Sequence, residues 1–187
     1  MRTSRIFAIA SVSLMVFVSY CLSFSEEKKS IAYYSDPQAI IDEVSSRGAR
    51  EVVLELYNDD DTGYALLRNI ATGSELWLKA AAALRSGSDA GASEMLDLAV
   101  GEALEHAPAN VLRITPKVSW LRSVCAGPDV NDRRYDSYEL SMNAINLRLK
   151  LVAAITDPKL QHLCDQCIRY LEESKKGIAN FYGVNTQ

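Results

Sequence analysis

Glycine and proline are scarce in this chain, nine and five among 187 residues. Scarcity of both excludes collagen-like and low-complexity classes, and a hydrophobic content of 48% excludes a disordered chain. Basic charge is not in excess either. Twenty Lys and Arg face 24 Asp and Glu, a net charge of −4, so no nucleic-acid partner is expected. Only two histidines occur, His106 and His162, and neither lies in an H-E-x-x-H pattern. The chain also lacks G-x-S-x-G, a Walker loop and a dinucleotide fingerprint. No catalytic residue, cofactor or metal ligand is therefore assigned.

What is present begins with a leader. Arg2 and Arg5 are the only charges before Glu26, and the apolar run Ile6–Tyr20 follows them. Ser23 and Ser25 supply small residues at signal-peptidase spacing. Met1–Ser25 thus reads as a secretory signal peptide, exposing Glu26. The run of about fifteen apolar residues falls short of the roughly 20 that span a bilayer, which argues against an uncleaved anchor. Lipidation on Cys21 is the alternative anchor, with Tyr20 in the place where a small residue belongs. No second stretch is long enough for a membrane span. Taking 25 residues and two Arg from a 187-residue chain of charge −4 leaves 162 residues of charge −6. That length suits one domain, expected over 35–187 after a charged, flexible lead-in at 26–34.

From there the punctuation is helical. Ser35-Asp36-Pro37 provides a cap and a first-turn proline, and Gly48 a stop. Short helices are expected over Ala49–Tyr57, Tyr64–Ala71 and Glu75–Arg85, the last with an Ala-rich face that admits a close neighbour. Ala90–His106 reads as amphipathic, with Leu96, Ala99, Val100 and Ala103 inward. Glu94, Asp97, Glu102 and Glu105 form a solvated acidic face. Pro108–Ile114 and Val118–Val124 follow, split at Pro116. The longest helices are expected over Tyr135–Ile155 and Pro158–Tyr182. Strand evidence is confined to Val52-Val53, which fits helical phase equally well. The fold class is all-α: a compact array of about eight helices, irregular or HEAT-like, with no fixed repeat period.

Helix 135–155 reads as central. Tyr138, Met142, Ile145, Leu149 and Val152 share one face. Leu140, Ala144, Leu147, Leu151 and Ile155 share a nearly opposite one, with Glu139, Asn143, Asn146 and Lys150 between. Two apolar faces call for cover on two sides.

Three cysteines follow the leader: Cys125, Cys164 and Cys167. Cys164-Asp-Gln-Cys167 is a C-x-x-C, readable as a redox pair or half a zinc site. A helix starting at Pro158 places it too far from the N-terminus for thiol activation. His162 projects away from both cysteines, against a zinc set with Cys125. A structural disulfide from Cys125 to either Cys164 or Cys167 remains, closing a loop worth about 4 kcal/mol in chain entropy.

Ala103–Leu112 (ALEHAPANVL), Val124–Pro128 (VCAGP) and Asp157–Leu171 (DPKLQHLCDQCIRYL) occur in that order. Over the C-terminal half this resembles small exported bacterial helical proteins of uncharacterised function. The pattern has a PANVL step, an I/V-C-x-G-P turn, and a late D-P-x-L helix with a Cys ten residues after the Asp. Asp129 departs from it, where the family tends to an apolar residue. The resemblance implies a Cys125–Cys167 bridge and no activity.

Asn58–Gly63 (NDDDTG) superficially matches a calcium loop, but Asn69 stands where the bidentate acid belongs. It reads instead as an acidic turn capping the next helix. His106 complements a helix C-terminus, and His162 faces solvent. The least regular segment, Ala126–Arg134, carries Asp129, Asn131, Asp132, Arg133 and Arg134, a candidate binding loop on a rigid scaffold. The expectation is an exported, periplasmic, non-enzymatic protein acting on a protein partner as adaptor, scaffold or immunity-type protein. The alternative is a thiol or metal-binding protein or enzyme using Cys164-x-x-Cys167.

Overall fold

A computed structural model describes residues 35–184. The leader read at Met1–Ser25, the lead-in at 26–34 and Cys21 lie outside the described residues. Nine α-helices follow one another without a strand among the described residues. They are α1 (Pro37–Arg47), α2 (Ala49–Tyr57), α3 (Asp60–Ala71), α4 (Glu75–Arg85) and α5 (Ala90–Glu102). Then come α6 (Pro108–Ile114), α7 (Val118–Val124), α8 (Tyr138–Ala153) and α9 (Gln161–Phe181). A 3-10 turn, Ala103–Glu105, tightens the end of α5.

Short polar side chains start the helices by accepting first-turn amides. Asp36 takes Gln38 N at 2.9 Å, Asp59 takes Thr62 N at 3.2 Å and Ser137 takes Leu140 N at 3.2 Å. The Asp59 cap starts α3 at Asp60, four residues earlier than Tyr64, because acidic residues suit the positive end of a helix. The last helix differs in the other direction. Asp157 accepts Lys159 N, and Leu160 N bonds Asp157 O, so residues 157–160 form a turn and α9 begins at Gln161.

The centre of the array is α4, not the 135–155 helix. Leu78, Ala80, Ala81 and Leu84 of α4 are fully buried, and the helix contacts α1, α2, α3, α5 and α6. Its two alanines let those neighbours approach closely. Helix α5 bridges this group to the rest, packing on α3 and α4 and also on α7. Gly101 permits that second contact: a Cβ there would sit 2.8 Å from the Val124 carbonyl oxygen.

Helix α8 spans Tyr138–Ala153 and is covered on one side only, by α9, the 3-10 turn and α6. Leu140 and Leu147 are 45% and 42% exposed. The buried strip consists of Ser141, Ala144, Ile145, Arg148 and Val152. At about 100° per residue that strip runs between the two apolar faces read from the sequence. They are the shoulders of a single buried face whose middle is polar. Ser141 Oγ donates to Tyr135 O at 2.6 Å, and Arg148 pairs with Glu105.

Of the four acids read as a solvated face, Glu94 is exposed and the other three are paired with arginines. Asp97 forks with Arg85 of α4, with Nε–Oδ1 at 2.8 Å and Nη2–Oδ2 at 3.2 Å. Glu102 forks with Arg134 at 2.7 and 2.6 Å. Glu105 Oε1 accepts from Arg148 Nε at 2.9 Å. Arg148 Nη2 lies 2.8 Å from the same oxygen, an ion-pair distance without hydrogen-bond direction. Arg148 is 1% exposed. Removing Glu105 strands that charge in the core, so Glu105→Ala lowers stability by about 3 kcal/mol or more in urea unfolding. Arg148→Met costs less, since Glu105 keeps some access to water. Glu75→Ala, breaking the exposed Glu75–Lys79 pair, leaves the midpoint unchanged.

Candidate functional site

Cys125, just past α7, is bonded to Cys167 on α9, with Cα atoms 5.4 Å apart. This is the pairing that the resemblance implies. It leaves Cys164 as a buried free thiol. Leu160, Leu163, Cys164, Cys167 and Leu171 are all buried, and His162 is exposed on the side away from the cysteines, where helical phase placed it. Because α9 starts at Gln161, Cys164 is nearer the helix N-terminus than the sequence indicated. Burial nevertheless pushes its thiol up, with the Asp165 charge adding to the effect, which opposes activation. With Cys167 in the bridge, the C-x-x-C holds one thiol.

The loop after Cys125 is fastened at both ends. Ala126 O accepts from Ser174 Oγ of α9, and Gly127, at φ +92°, lies against Ile145 and Ser174. Asp129 Oδ1 accepts Asn131 N at 2.9 Å, and Asp132 Oδ1 accepts Arg134 N at 2.8 Å. Arg134 also stacks over the Tyr135 ring at 5.3 Å. Asp132 and Glu102 together hold the Arg134 guanidinium, and that pairing drives the Asp132 carboxyl below the usual carboxylate range. Behind the loop a cleft of about 280 Å³ is lined by Asp129, Asp132, Tyr135, Glu102 and Arg148. Burial pushes the Tyr135 hydroxyl up. Of the five loop residues singled out, Asp129 and Asp132 line the cleft, and Arg134 bonds Asp132 from its exposed side. Asn131 and Arg133 are exposed and take no part in the cleft. Arg134 binds the loop to the scaffold through Glu102, while Asp129 and Asp132 bond within the loop.

A second feature went unmarked in the sequence. Two adjoining hollows of about 340 and 480 Å³ open between α2, α3 and α5. Both are lined by Leu56, Tyr57, Gly63, Leu67 and Met95. The first reaches Leu84 of α4; the second ends at Asp59 and Tyr64. Tyr57 and Tyr64 are 53% and 59% exposed. Gly91, at the start of α5, leaves room for the Tyr57 phenol, whose oxygen would lie 3.3 Å from a Cβ there. Reading α3 from Tyr64 left Asp59 and Gly63 in a loop, so the wall they form was invisible. The available signal was the pair of tyrosines flanking an acidic turn.

Among the described residues no three His, Cys, Asp or Glu are grouped to hold a metal, and no helix is long and apolar enough to cross a membrane. No protein-family model, curated protein or solved structure matches this chain.

Asp-N cleaves before Asp165 and so separates the two α9 cysteines. A non-reducing digest is expected to yield one linked peptide pair joining Cys125 to Cys167, with Cys164 alkylated only after unfolding. Cys125→Ser with Cys167→Ser lowers stability by about 4 kcal/mol, the loop-entropy value. Acid releases the loop in a defined direction. The folded Asp132 carboxyl is held below its unfolded value of about 3.9, so its contribution is complete above that pH and is lost as pH falls through the lowered value. Amide exchange at Arg134, measured relative to intrinsic rates, is expected to accelerate in that range; Asp132→Asn removes the pH dependence.

Proposed function

We propose that this is an exported, non-enzymatic helical protein that acts by protein–protein contact, as a periplasmic adaptor, scaffold or immunity-type protein. One observation carries the contact: the open apolar groove walled by Tyr57, Tyr64, Leu67 and Met95. Partly exposed tyrosines around an apolar cleft are the side chains that dominate binding energy at protein interfaces. Methionine adds an adaptable, polarizable wall. The groove stands on a firm base, since α2, α3 and α5 pack on the buried α4. Export is supported by the leader at Met1–Ser25 and by the Cys125–Cys167 bridge, a bond that persists in oxidising compartments.

The test places a photo-crosslinking amino acid at position 64 of the full chain, expressed in its own cells. Irradiation is expected to yield discrete adducts with other proteins in the periplasmic fraction, and intact mass to show Glu26 as the first residue. The same group at Glu139, on the exposed side of α8, yields none. Equal labelling from both positions would sink the assignment of contact to the groove.

A further inference from the structure

We infer that the occupant of the groove is a basic amphipathic helix presented by the partner protein. The inference rests on the proposed contact function and names the chemistry of its partner. It follows from charge and shape together. The groove walls come from two stretches, 51–67 and 86–102, and neither contains a single Lys or Arg. Asp59 lines the groove, and Asp61 and Glu94 stand exposed beside lining residues. Arg68, exposed next to the lining residue Leu67, is the one basic residue of α3 and stands about two turns from Asp61. Arg85, after Leu84, is bound to Asp97. An apolar trough whose Asp59 end carries an excess of acidic over basic side chains selects for an apolar face flanked by cations, by attraction and by excluding acidic competitors.

Shape selects the helix. The two hollows adjoin and share Tyr57, Leu67 and Met95, forming one continuous trough with room for successive apolar side chains. Side chains at i and i+4 of a helix stand side by side in this way, the usual mode of a helix laid in an apolar groove. A second copy of this chain is a poorer occupant, since the chain is itself acidic.

The probe is a fluorescent amphipathic peptide of Leu and Lys, titrated against the full purified chain by anisotropy. Two controls replace every Lys by Glu or scramble the same composition. The Lys peptide is expected to bind, more weakly as salt rises, and the controls are not. Tyr57→Ala with Tyr64→Ala weakens binding about tenfold or more. Both side chains are over half exposed, so the melting temperature stays unchanged. If that pair fails to fold, Tyr64→Lys, which sets a cation at the rim, serves instead and weakens binding likewise. Asp59→Asn with Asp61→Asn keeps the α3 cap and flattens the salt dependence. Equal binding of the Glu peptide, or Lys-peptide binding indifferent to the tyrosine variants, would overturn the inference. A dimer in light scattering that dissolves in the double tyrosine variant would overturn it too, by naming a second copy as occupant. Position-64 adducts in cells with no binding of the Lys peptide would remove the basic helix and leave protein contact standing. Absence of both removes the two together.

Discussion

Three carboxylates at the end of α5 and in its 3-10 turn each hold an arginine from a different part of the chain. Asp97 takes Arg85 from α4, Glu102 takes Arg134 from the loop, and Glu105 takes Arg148 from α8. These elements meet on one short segment, so their relative placement depends on it. The Arg148–Glu105 pair is the most constrained, because the guanidinium is almost wholly out of water. A charge taken that far inward needs its partner at bonding distance, which sets α8 against the 3-10 turn. The same pairing leaves the Leu140 and Leu147 shoulders to solvent.

The covalent bridge acts on the same side of the molecule. Cys125 ends α7, which packs on α5 at Gly101, and Cys167 sits in the buried stripe of α9. Bridge, glycine contact and arginine pairs therefore tie α5, α7, α8 and α9 together. The groove lies on the opposite wall of α5, where Met95 and Leu96 face α2 and α3. Helix α5 is thus shared between a tightly bonded half and a half that presents an apolar trough. A binding surface of this kind gains from a rigid backing, because less ordering accompanies contact.

How far residues could be read depended on whether polarity tracked burial. Leu96, Ala99, Val100 and Ala103 were legible as core because apolar side chains in helical phase fell inside. On α8 the rule broke down. Ser141 and Arg148 occupy the middle of the buried face, and their polarity split one face into two. On α5, Asp97, Glu102 and Glu105 read as a wet face, since no local spacing reveals arginines 12, 32 and 43 residues away. The loop stood out for its charges, yet Arg134 is bound to Glu102 and the two aspartates bond within the loop. The groove stayed hidden because it is made of ordinary apolar residues on three helices.

By itself the sequence determined the all-helical class, the Asp caps of α1 and α3, the inward stripe of α5, and the acidic balance of the chain. These depend on spacing within one helix or on composition, which neighbours along the chain settle. Tertiary structure decided that α4 lies at the centre, that Asp97 and Glu102 of α5 are paired, and that the loop is tied down. It also decided where an apolar surface stays open. Each of those depends on which residue far along the chain arrives at a given face, and only packing chooses that.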